Sequence, residues 1–151
     1  MWGLLFCAGR DKRYLEIARK VANESTFPRF RHGAVLVRGG SVINTSCNEL
    51  DAVSWANRFR QHQCGHATRH AELGAIFGIA REKTKNSVMY VVRINPSNDF
   101  LLSKPCPMCI LALKHVGVKK VIYSVDNKSI SSIKLNRRLT DEELSYKQGE
   151  E

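Results

Sequence analysis

A chain of 151 residues, 43% hydrophobic and 25% charged, has the length for one domain that buries about two-thirds of its unfolded surface without staples. No apolar run reaches the roughly 20 residues of a membrane-spanning helix, and five cysteines, an odd number, argue against a secreted disulfide framework. The net charge is +10, and the last eleven residues hold five acids against Lys147, so residues 1–140 carry about +14. A field of that sign favours nucleic acid or the phosphate of a mononucleotide; the plainer alternative is a solvated basic surface.

The opening Met1–Gly9 is apolar but too short and too poor in basic residues for a leader. It reads as a flap over residues 1–10, or as an incidental product of the gene start. Asp11 to Glu24 places Tyr14, Leu15, Ala18, Val21 and Ala22 on one helical stripe, and Pro28 follows its end. Gly33–Arg38 and Ser41–Thr45 form a hairpin about the Gly39-Gly40 turn. From Cys47 to Arg69 periodicity dissolves into a long functional loop with a short helix near Val53–Phe59. Inside it, His62, Cys64 and His66 offer ligands at alternate positions for a second ion, although a fourth ligand is not evident.

A second helix is expected from about His70 to Ala80, with Leu73, Ile76, Phe77 and Ala80 on its apolar stripe, followed by a polar turn over Lys83–Asn86. Val88–Ile94 reads as a central strand. Phe100–Leu102 extends the sheet or lines the pocket. A third helix is expected to start at the cysteines, to bury Ile110, Leu111, Leu113 and Val116, and to stop at Gly117. Lys119–Ser124 is a further strand, and Ile130, Ile133 and Leu135 fit either a short helix or an edge strand. The alternation predicts an α/β fold, one mixed sheet sandwiched by helices, over residues 1–140, with a loosely ordered acidic tail at 141–151.

The chemistry concentrates at His70-Ala71-Glu72 and Pro105-Cys106-Pro107-Met108-Cys109. Alone, the cysteine pair could be a redox motif or half of a structural zinc site. The first lacks a use for the upstream His-x-Glu, and the second lacks another Cys-x-x-Cys. One imidazole and two thiolates are the three ligands of a catalytic Zn2+ whose fourth position stays open for water. Both cysteines open a helix, where first-turn N–H groups favour the thiolate. Glu72, outside that ligand set, is the proton carrier. H-x-E followed by P-C-x-x-C is the pattern of zinc nucleobase deaminases.

With these residues the chain resembles the cytidine deaminase superfamily from about Lys12 to Ser124. Ser25–Arg29, Gly33–Val37 and Gly117–Tyr123 are similar to the deoxycytidylate deaminases, and Ser103-Lys104-Pro105-Cys106 to phage and large-virus members of that group. The resemblance implies a cytidine deaminase-like α/β/α fold and hydrolytic deamination of a cytosine nucleotide, dCMP to dUMP, in the cytoplasm (the host's if the chain is viral). It implies a homo-oligomer and no membrane partner. It also implies that Asn48 binds the sugar, that Thr26 and Arg29 lie near sugar or phosphate, and that the backbone around Ala71 reads the base. The chain departs from those enzymes in having Glu49-Leu50 where they carry glycine and proline. It departs from tRNA adenosine and guanine deaminases in having Lys104 where they carry glutamate. The alternative activity is deamination of cytosine in single-stranded DNA or RNA, or of adenosine in tRNA; Phe27, Trp55 and Phe59 could stack bases there. An idle relative that binds nucleic acid is a third reading, against which Glu72 speaks.

Overall fold

The computed structural model describes residues 9–52, 54–59 and 68–144. Most of the expected flap, the His62–His66 ligand cluster and tail residues 145–151 lie outside them.

Five strands run across the sheet in the order β2-β1-β5-β7-β8: β1 (Arg31–Arg38), β2 (Ser41–Cys47), β5 (Val88–Ile94), β7 (Lys120–Ser124) and β8 (Ile130–Lys134), with β6 (Phe100–Leu101) added at the end of β5. Among the described strands only β5 and β7 pair in parallel, which demands a crossover; α4 (Pro107–His115) supplies it. β5 is buried on both faces, which is why Val-Met-Tyr-Val-Val carries no polar alternation. At the β1–β2 hairpin, Gly39 and Gly40 both have positive φ, 59° and 80°, the backbone a two-residue turn of this hand requires. The region after Asp126 resolves as the edge strand.

Helix α1 (Gly9–Ala22) covers one face, packing Tyr14, Leu15, Ala18 and Ala22 on Val35, Val37, Tyr90, Val92 and Ile94. It approaches so closely that a Cβ at Gly33 would stand 2.1 Å from the Ala18 carbonyl oxygen and 2.6 Å from the Ala22 nitrogen. Both obstacles are backbone and cannot rotate away. Gly33→Ala is therefore expected to cost about 3 kcal/mol, the upper end for overpacking, read as a lower urea midpoint; an unchanged midpoint would mean that α1 is not held against β1.

The opposite face carries α2 (Ala71–Ile76) and α4. Met108, Ile110 and Leu113 of α4 are fully buried, each contributing about 1.5–3 kcal/mol of transfer free energy. The expected helix over 70–80 is shorter than the sequence pattern indicated. It ends at Ile76, Phe77 is 54% exposed, and Gly78 adopts φ 78°, after which α3 (Arg81–Thr84) starts separately where a polar turn was expected. A left-handed glycine reverses the chain here, and apolar periodicity is blind to that.

Two short strands were not foreseen. β3 (Glu49–Ala52) and β4 (Thr68–Arg69) pair with each other, Glu49 opposite Arg69, and so deliver His70 to its place. Ser54–Phe59 forms the anticipated short helix, of 3₁₀ type. Trp55 and Phe59 pack on one another at 5.2 Å and on His115 at 6.1 and 5.2 Å, seating this turn against the end of α4. Asp141–Leu144 form a turn in which Glu143 pairs with Arg137. Among the described residues, no helix is long and apolar enough to cross a membrane.

Candidate active site

His70 is the N-cap of α2, with extended backbone at φ −63° and ψ 152°. Its carbonyl accepts the first intrahelical bond, from Gly74 N–H at 3.0 Å. Cys106 is the N-cap of α4, also extended at φ −70° and ψ 163°, and Pro107 takes the first helical position, where a missing N–H costs nothing and the fixed φ suits the helix. Cys109 follows on the same first turn. Two helix starts thus face one point, and the positive ends of their dipoles favour negative sulfur there.

The segment leading into Cys106 is anchored by buried serines. Ser103 Oγ lies 3.0 Å from the Val91 carbonyl oxygen and 2.9 Å from Ser124 Oγ, and accepts from Ser124 N–H at 3.0 Å. Ser124 Oγ in turn donates to the Leu101 carbonyl at 2.7 Å. The loop is thereby pinned to the carboxyl ends of β5 and β7, where open α/β sheets place their ligands. In the sequence Ser103 stands only as the first residue of Ser-Lys-Pro-Cys; its place directly after the apolar Phe100–Leu102 is the signal that marks it as an anchor.

His70 Nδ1 stands 3.2 Å from Cys109 Sγ and 3.8 Å from Cys106 Sγ, and the three donor atoms all fall within 4.8 Å of one another. A tetrahedral ion with Zn–N near 2.05 Å and Zn–S near 2.3 Å needs N···S edges of about 3.6 Å and an S···S edge of about 3.8 Å. The set fits one zinc ion, both cysteines are buried, and no disulfide joins them.

Glu72 lies one position beyond Ala71 on the first turn of α2 and is 5% exposed. Burial pushes its carboxyl above the usual range, while the charge of His70, its own backbone N–H and a hydrogen bond from the Cys109 side chain work in the other direction. A carboxyl held in this way beside the ligand set is placed to take and return a proton.

The remaining expected residues sit at the same end of the sheet. Ala71 is buried at the first helical position of α2. Asn48 directly follows β2. Its Oδ1 accepts from His32 N–H at 2.9 Å and its Nδ2 donates to the Phe30 carbonyl, so this side chain braces the entry to β1; one lone pair and one N–H remain for a ligand. Thr26 and Arg29 are exposed on the α1–β1 connection. His32, which the sequence reading passed over, is held down to about 3 by burial, then by the positive charges of Arg93 and His70; it is a neutral imidazole at pH 7.

Residues 8–125 match the profile of the family described as cytidine and deoxycytidylate deaminase zinc-binding region. The chain is 26% identical over 125 residues to a deoxycytidylate deaminase of Schizosaccharomyces pombe, a match that takes in 75% of this chain and 36% of that protein, so it spans about a third of the length of this relative. Among solved structures it is similar to RibD of Acinetobacter baumannii (form 1; TM-score 0.52, 22% identity, 77% of this chain and 28% of that one). It is likewise similar to the dCMP deaminase of cyanophage S-TIM5 in apo form (TM-score 0.52, 22% identity, 76% of this chain and 82% of that one). At these identities the two structures share its fold.

Proposed function

The chain belongs to the cytidine and deoxycytidylate deaminase zinc-binding family, and from that premise we propose that it hydrolyses the exocyclic amine of a cytosine nucleotide, dCMP to dUMP, releasing ammonia. The observation that carries this reading is a buried glutamate on the same helix turn as the imidazole ligand, in hydrogen-bond contact with one of the thiols. A structural zinc site has no use for such an acid.

His70, Cys106 and Cys109 hold the ion, which when bound supplies a Lewis acid that brings the pKa of water from 15.7 to about 7. Glu72 takes a proton from the attacking water and passes it to the ring nitrogen, so that the amine-bearing carbon accepts the oxygen. The remaining proton of the added hydroxyl, carried by the same carboxyl to the amine, lets it leave as ammonia while the carbonyl forms. The buried wall of α2 and α4 keeps bulk water from competing for that proton. The N–H of Ala71, at a helix start and without an intrahelical acceptor by position, contacts the base. Asn48 binds the sugar through its remaining donor and acceptor, and Thr26 and Arg29 border the sugar and phosphate.

The choice of a mononucleotide rests on the deoxycytidylate deaminase relative; the net charge of +10 draws anionic substrates of either kind. We place the protein in the cytoplasm as a homo-oligomer, in keeping with nucleotide metabolism. Zinc-loaded protein should release ammonia from dCMP with kcat/KM at least tenfold above that for deoxycytidine, AMP or a cytosine-containing single-stranded oligonucleotide. A preference for the oligonucleotide would transfer the activity to polynucleotides, and no release from any of them would end the hydrolytic reading.

A further inference from the structure

Strand alternation sorts the side chains at the site end of β1 and β5. Ala34 and Leu36 of β1, with Met89 and Val91 of β5, belong to the core under α2 and α4, whereas Val35, Val37, Tyr90 and Val92 belong to the core under α1. Successive side chains point to opposite faces. His32, two residues before Ala34, and Arg93, two residues after Val91, therefore lie on the α2–α4 face, and they are direct partners across the β1–β5 ladder. Gly33, next to His32 and opposite Val92, faces Ala18 and Ala22 of α1, as alternation requires. Cys106 and Cys109 are part of the α2–α4 core, and both Arg93 and His70 act electrostatically on His32. The guanidinium of Arg93 thus shares a face and a sheet end with the zinc ligands.

Arg93 is 6% exposed, and its guanidinium carbon lies 5.2 Å from the centre of the Phe30 ring, itself 39% exposed. Asn48 bonds to the Phe30 carbonyl and the His32 N–H, fixing the segment that presents this ring. Asn48, Phe30 and Arg93 consequently form one braced wall. Stacking on an aromatic face orients the planar fork, and a guanidinium withdrawn from water gains most from an anion that accepts two of its N–H groups at once.

Resting on the deaminase reading above, we propose that Arg93, held against Phe30, is a specificity-determining residue that takes the phosphate of the nucleotide substrate and so separates nucleotides from nucleosides. The shared chemistry is a phosphate oxygen pair, which a mononucleotide or a polynucleotide backbone can present; the mononucleotide is the source favoured by the recessed position of Arg93.

The test compares wild type, Arg93→Gln and Arg93→Lys, each zinc-loaded and with metal content measured. Two readouts are taken: kcat/KM for dCMP and deoxycytidine, and dissociation constants for dCMP and a single-stranded oligonucleotide by calorimetry. Arg93→Gln is expected to lower kcat/KM and affinity for dCMP by about 30- to 100-fold and to leave deoxycytidine within about threefold, since a neutral substrate does not engage the guanidinium. Arg93→Lys, which keeps the charge and loses the fork, should fall between and serves where the glutamine variant fails to fold. Equal losses on dCMP and deoxycytidine would make Arg93 a packing residue and overturn the proposal, as would unchanged dCMP constants. A loss confined to the oligonucleotide would overturn the mononucleotide assignment. If wild type deaminates none of these compounds, the deaminase reading fails; calorimetry then decides the Arg93 assignment by itself, upheld where wild type binds dCMP and the glutamine variant binds it at least 30-fold more weakly, and overturned otherwise.

Discussion

Glu72→Gln should keep its zinc and lose turnover by roughly 10²–10⁴-fold, the range general acid–base catalysis spans. Glutamine matches glutamate in shape, and its amide N–H can donate to the Cys109 sulfur, so the pocket survives. What it cannot do is take a proton from water and return it to the base. The variant also reports on stability. The folded carboxyl is raised above its ordinary value by burial, so between the ordinary pKa and the raised one the folded state binds more protons than the unfolded state. In the metal-free protein this contribution is present in acid and is lost as pH rises through the raised pKa. Metal-free Glu72→Gln, with no charge to bury, should therefore gain in Tm relative to wild type as pH rises above the ordinary carboxyl value of about 4.5. Zinc stoichiometry follows from metal analysis and turnover from ammonia release. An undiminished rate would remove Glu72 from the mechanism, and loss of zinc would make it a ligand instead.

Cys109→Ser is the second large effect. Cys109 is fully buried, 3.2 Å from His70 Nδ1 and in contact with Glu72, so in the proposed site it would stand between the ion and the acid. Serine offers a poor zinc ligand in the same place. Its affinity loss should exceed the roughly 10- to 100-fold that follows when only outer partners of a metal site are changed, and deamination should fall to background. Zinc at about 1,000 times its Kd stabilises the folded state by about 4 kcal/mol. A chelator should accordingly lower the Tm of wild type by several degrees and leave that of Cys109→Ser where it was. Equal chelator responses in the two proteins, or full zinc content in the variant, would place the ion elsewhere.

The parts that were legible before any coordinates are those written in local chemistry. Gly39-Gly40 encodes a hairpin turn because only glycine readily takes two successive positive φ values. Pro107 after Cys106 encodes a helix start, and the ligand types at His70, Cys106 and Cys109 name their metal by charge and softness. Parts that depended on a partner segment stayed hidden. The Glu49–Ala52 strand is too short and polar to announce itself, and it exists because Thr68–Arg69 pairs with it. Helix α2 stops at Ile76 although Phe77 and Ala80 continue the stripe, because the backbone turns at Gly78.

The ligand types of a zinc site and the α/β class were therefore determined by the order of residues alone, since each rests on side-chain type, short motif spacing and the alternation of apolar patterns along the chain. Which face of the sheet receives Arg93, what Asn48 braces, and how closely α1 lies on Gly33 were decided only when the strands paired. A one-residue shift of register sends every side chain of a strand to the other face, and that register is a property of two segments more than fifty residues apart, β1 and β5.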